Sequence, residues 1–168
     1  MTAMRVAVML LASTLAACAG HRGHVIHEMV PPAGRAPYPL GAQQRLFLMP
    51  VPVTAPMPTL VAGRWPRVAT VVCVEFTVTI AGETVDIDTA GQTGCGGSAP
   101  LDPAHHARLR AAVEDALAQW TWRSGAICTF PEGVQPNDAC RAPGILYEAV
   151  PMRLDYRFTF EPGRQVDK

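Results

Sequence analysis

From Ala69 the chain alternates apolar and polar positions. Val72, Val74, Phe76, Val78 and Ile80 interleave with Cys73, Glu75, Thr77 and Thr79. A period of two, rich in β-branched residues, predicts a half-buried strand. Ala81-Gly82 reads as a two-residue turn, and alternation resumes over Thr84–Thr89 with Val85 and Ile87. That register sets Val78 opposite Val85 and Phe76 opposite Ile87, so the apolar faces coincide. The other face collects Glu75, Asp86 and Asp88, which read as a solvated face because no paired His or nucleophile accompanies them. Asp102-Pro103 then supplies an N-cap and a first-turn proline. The helix it opens runs to about Trp120, with Leu109, Ala112, Val113, Ala116, Leu117 and Trp120 on one stripe. After Trp120-Thr121-Trp122 the stretch Ser124–Gly144 is irregular. A last strand covers about Ile145–Phe160, with Leu146, Val150, Met152, Leu154, Tyr156, Phe158 and Phe160 sharing a face. Pro151 within it marks an edge strand or a bulge, because proline has no N–H to give to a ladder. The order strand, strand, helix, strand implies an α+β two-layer domain, one helix packed on a small antiparallel sheet.

The stretch before this domain lacks sustained periodicity. Nine prolines punctuate Ala19–Arg67, from Pro31 to Pro66, a density that opposes both helix and central strand. It reads as an extended tether, within which Leu46-Phe47-Leu48-Met49 can dock or pair as a short edge strand. Residues 1–17 have the order of an export signal: Arg5, an apolar run Val6–Leu11 too short to span a bilayer, then small residues. Leu15-Ala16-Ala17-Cys18 resembles the bacterial lipobox, in which the cysteine thiol is acylated and becomes the first residue of the mature chain. The chain is therefore divided into a signal peptide (1–17), a lipidated Pro-rich tether (18–67), a folded domain (68–162) and a tail (163–168). Ala19 after the cysteine resembles the sorting pattern for the outer membrane, periplasmic face.

Composition narrows function by exclusion. Lys and Arg number 14 and so do Asp and Glu, so the basic surplus that phosphate neutralisation needs is missing and nucleic acid is not an expected partner. His21, His24 and His27 form an H-x-x-H-x-x-H run, but that is not the spacing of a closed zinc site; solvated tether histidines are the expected meaning. His105 and His106 fall in the first turn of the helix, beside Arg108 and Arg110, and read as exposed. No G-x-S-x-G, H-E-x-x-H or phosphate-cradling loop is present. The chain is therefore expected to be no enzyme, with no catalytic residues, no metal and no cofactor.

Beyond Cys18 four cysteines remain: Cys73, Cys95, Cys128 and Cys140. An even number in an oxidising compartment suggests two disulfides. Cys128 and Cys140 flank the irregular segment Thr129–Ala139. In the hairpin register Cys73 faces Ala90, close to the loop Gly91–Gly97 that bears Cys95. The expected pairs are Cys73–Cys95 and Cys128–Cys140. Four-thiolate zinc and dithiol redox chemistry both call for a C-x-x-C pair, which is absent.

Local words in order then resemble the C-terminal domain of TonB-type energy transducers. They are Val74-Glu75-Phe76-Thr77-Val78, the turn at Gly82, Val85 with Asp86–Asp88, Leu101-Asp102, the helix-end Trp120, and Val150-Pro151-Met152-Arg153-Leu154 with Phe158. The resemblance covers about residues 68–160. It implies a TonB C-terminal-like fold and a module that docks an envelope protein, such as an outer-membrane receptor, by adding a partner strand to its sheet edge. The matching edge is the last strand, with Arg153, Asp155, Arg157 and Thr159 as partner-binding residues. A lipid-anchored binding or scaffold module follows, and a homodimer is compatible with it. The alternative is a genuine energy transducer, with residues 1–17 retained as an inner-membrane anchor.

Overall fold

The computed structural model of the chain describes residues 23–30, 40, 45–61, 64–89 and 102–162. The signal peptide, Cys18, His21, the loop bearing Cys95 and the tail 163–168 lie outside the described residues. Within them the elements are β1 (His24–Val30), β2 (Arg45–Leu48), β3 (Val51–Thr54), β4 (Thr70–Val78), β5 (Thr84–Asp88), α1 (Pro103–Leu117), β6 (Thr121–Arg123), β7 (Gly125–Thr129), β8 (Leu146–Val150) and β9 (Met152–Glu161). They form a four-stranded sheet β1-β9-β4-β5, a three-stranded sheet β2-β7-β8 and a ribbon β3-β6, with every strand pairing antiparallel.

The core follows from the alternation already noted. Val72, Val74, Phe76 and Val78 of β4 and Met152, Leu154, Tyr156, Phe158 and Phe160 of β9 point to one side, where Leu109, Val113 and Leu117 of α1 and the indoles of Trp120 and Trp122 meet them. Each such side chain removed from water contributes about 1.5–3 kcal/mol. The helix starts as expected: the Asp102 carboxylate accepts from the His105 backbone N–H, and Pro103 occupies the first turn. A second cluster sits under the three-stranded sheet, where Cys128 and Cys140 are disulfide-bonded with Cα atoms 5.5 Å apart and pack with Phe130 and Ala126.

The fold class expected from the sequence is overturned, for three reasons. The chain is mostly β, with 47% of the described residues in strands and 13% in helix, and three sheets replace one; the α+β two-layer fold, and with it the TonB C-terminal-like architecture, does not form. The first reason lies in the stretch read as a tether. It supplies β1, β2 and β3, and three of its prolines pack into the fold: Pro50, Pro58 and Pro66 are buried. Pro52 is tolerated within β3 because that strand pairs, among the described residues, on one side only, with β6. The second reason is Pro151. It splits the long last strand into β8 and β9, which enter different sheets. Leu146 lands in solvent, 67% exposed, while Val150 and the even-numbered apolar residues of β9 stay buried. The third reason is β7, in a stretch that reads as irregular.

The β4–β5 hairpin also departs from its expected register. Val78 faces Thr84 and Thr77 faces Val85, while Glu75 faces Asp88 as the alternation predicts. A three-residue loop, Ile80–Gly82, closes on the Thr79–Glu83 backbone hydrogen bond, and the register shift between Glu75 and Thr77 absorbs the extra residue. Asp86 lies in that shift with φ +52°, a conformation Asp tolerates better than bulkier residues. Gly82 takes φ +81° at the turn, where any Cβ would sit 2.1 Å from the carbonyl oxygen of Trp122. The Trp122 amide donates to the Gly82 carbonyl at 2.9 Å, so the turn and β6 lock together only around a glycine.

Candidate strand-docking edge

The residues assigned from sequence to a binding edge are Arg153, Asp155, Arg157 and Thr159. All four lie on the solvent face of β9. The strand that carries them is not an edge. It runs between β4, which pairs with it from Thr70↔Phe160 to Val78↔Met152, and β1, which pairs from His24↔Glu161 to Val30↔Asp155. The hydrogen-bonding groups that a partner strand would use on β9 are taken by a segment of the same chain.

β1 earns its place through alternation that the surrounding prolines obscure. Val25 and Met29 turn inward and pack on the main core, and His24, Ile26 and Glu28 turn outward. The outer face is tied by charge. The Glu28 carboxylate accepts from the Arg157 guanidinium directly across the ladder, and His24 Nε2 lies 2.8 Å from the Glu161 carboxylate. Farther along, Arg153 pairs with Glu75 of β4. Such exposed pairs contribute at most about 1 kcal/mol each; the ladder and the inward side chains hold the strand.

His27 is the unusual member of the inner face. Its ring stands edge-on to Trp120, with centroids 5.1 Å apart, and stacks beside Tyr156 at 6.0 Å and Phe158 at 5.9 Å. Burial lowers its pKa below the ordinary 6.5, because the charged imidazolium loses water and gains no counter-charge. The same burial raises Tyr156. Nδ1 of His27 has no hydrogen-bond partner among the described residues. His24 and His27 thus project from opposite faces of β1, so these two imidazoles do not converge on one ion. No group of three metal-ligating side chains occurs among the described residues.

The other sequence candidates separate in space. Glu75 is occupied by Arg153, Asp86 sits at the hairpin irregularity, and Asp88 lines a shallow cleft of about 270 Å³ with Thr89, Arg110 and Glu114. The Thr89 hydroxyl donates to Glu114 there. His105 lies by the N-cap with Nδ1 3.3 Å from Arg108. Cys73 is disulfide-bonded; its expected partner Cys95 lies outside the described residues. Cys128–Cys140 forms as the sequence suggests.

β1 therefore ends the four-stranded sheet. Its far side pairs with no strand among the described residues, and Ile26 stands 48% exposed at its middle. Against protein-family models, curated proteins and solved structures, the chain has no match.

Proposed function

We propose that this protein is a lipid-anchored envelope module, held at the periplasmic face of the outer membrane through Cys18, that binds protein partners by accepting a strand at the outer edge of β1. The observation that carries the reading is the position of β1: a terminal strand, paired on one side only among the described residues, that begins six residues after Cys18. A strand edge is a row of unpaired N–H and C=O groups, a ready template for another chain. The short connection has a geometric consequence. Six residues reach at most about 20 Å when fully extended, so an acylated Cys18 holds the β1 edge close to the lipid surface. Partners are then selected among proteins that reach the membrane, and several acyl chains on one cysteine make the anchoring stable.

The test is in two parts. Mass spectrometry of membrane-fractionated protein, with and without an inhibitor of lipoprotein signal peptidase, should find a chain beginning at acylated Cys18 in the outer membrane. A full-length chain in the inner membrane would overturn the anchor. Ile26→Pro removes a backbone N–H from β1; with the melting temperature of the full chain unchanged, it should abolish cross-linked complexes captured through a tag. Complexes that persist unchanged would place the binding surface elsewhere.

A further inference from the structure

The residues of β1 are self-complementary, and we infer that the strand docked at its outer edge is β1 of a second copy of this chain, antiparallel and centred on Ile26. This rests on the reading of β1 as a strand-accepting edge and names its occupant. The argument is one of register. Within one chain, His24 faces Glu161, Ile26 faces Thr159 and Glu28 faces Arg157. With Ile26 opposite its own copy, His24 falls opposite the second copy's Glu28. One row across four strands then reads Glu161, His24, Glu28, Arg157, with the last two from the second copy: acid, base, acid, base. The two-fold axis repeats the row on the other side. A histidine directly across a ladder from a carboxylate is favourable as a hydrogen bond, as are apolar pairs such as Ile26 on Ile26, and the exposed Ile26 loses its water.

The inner face obeys the same register. Val25 meets the second copy's His27, and Met29 meets Gly23. Neighbouring registers fail on the same criteria. Centring on Glu28 sets two carboxylates against each other, and centring on His27 sets Ile26 against Glu28. A C2 contact of this kind is isologous and closed, so it gives a dimer with a continuous eight-stranded sheet and no filament. A ladder confined to one short strand from each copy buries less than stable soluble dimers do. Confinement of two anchored chains to one membrane supplies the effective concentration that the small contact lacks.

The experiment is photo-cross-linking in living cells, with Ile26 replaced by benzoyl-phenylalanine in the full chain. Ile80, 62% exposed at the hairpin tip, carries the same probe as a control. An adduct of twice the chain's mass from position 26 and not from position 80 is the expected result. An adduct of another mass from position 26 overturns the second copy as occupant and leaves the strand-docking edge standing. No adduct from position 26 overturns both. A second variant reads the register: Ile26→Cys apposes a cysteine with its own copy, and non-reducing gels should show at least about ten times more disulfide-linked dimer than Ile80→Cys. Equal amounts from the two positions would overturn the register.

Discussion

Trp120 donates its indole N–H to the carbonyl oxygen of Pro56 at 2.9 Å. The donor sits just past the end of α1, and the acceptor belongs to the Pro-rich stretch that reads as a tether. Around this bond the N-terminal third joins the core. His27 of β1 and Leu60 approach the same cluster, and Trp65 packs at 6.2 Å from Phe160.

Trp120→Ala should therefore cost more than a surface substitution in an independent domain. The side chain is 1% exposed, and losing it removes aromatic contacts with His27, Trp122, Tyr156 and Phe158. The expected loss is about 3–5 kcal/mol in urea denaturation. Trp120→Phe, which keeps most of the volume and strands the Pro56 carbonyl, should cost about 1–3 kcal/mol.

Acid should loosen the fold through His27. Its folded pKa lies below the unfolded 6.5, so the unfolded chain binds the proton first. The penalty is absent above about 6.5 and grows as pH falls through that value toward the lowered folded one. Denaturation midpoints at pH 7.5 and 5.5 should differ less in His27→Phe than in the wild type. The Phe variant keeps the ring contacts and removes an Nδ1 with no partner among the described residues, so at neutral pH it should be equal or more stable. An unchanged pH response would remove His27 from the acid sensitivity of the sheet.

Gly82→Ala meets two obstacles at once. A left-handed backbone costs a residue with a Cβ about 1–2 kcal/mol, and the new methyl would lie 2.1 Å from the Trp122 carbonyl oxygen, a backbone atom that can move only with β6. A loss above about 2 kcal/mol is expected, read as a lowered melting temperature together with altered near-ultraviolet signal from Trp122.

The Cys128–Cys140 bridge closes a loop with a sequence separation of 12, worth about 3 kcal/mol if chain entropy dominates. Residues 131–139 between them are all exposed. The Cys128→Ala, Cys140→Ala double variant should lose about 2–4 kcal/mol and become sensitive to protease within that segment. Resistance equal to the wild type would mean that the segment orders itself without the bridge.

Several features were legible in the residues alone because their causes are local. The β4 alternation from Val72 to Val78, the α1 stripe from Leu109 to Leu117 and the Asp102-Pro103 start all depend on side chains a few positions apart, and they stand in the structure where the sequence puts them. Ile80, expected on the same apolar face as Val78, lies past the end of β4 and is exposed because the turn begins there. The Cys128–Cys140 pair could be read from its flanking of one short segment. The hairpin register was legible at Glu75–Asp88 and not near the turn, because positive-φ residues at Gly82 and Asp86 shift it by one. Only the tertiary structure decided which strands lie side by side. Backbone N–H and C=O groups are the same at every position, so nothing in β9 itself says whether its outer edge meets solvent or β1. That choice was made more than a hundred residues away, by Val25, His27 and Met29 finding a core to face.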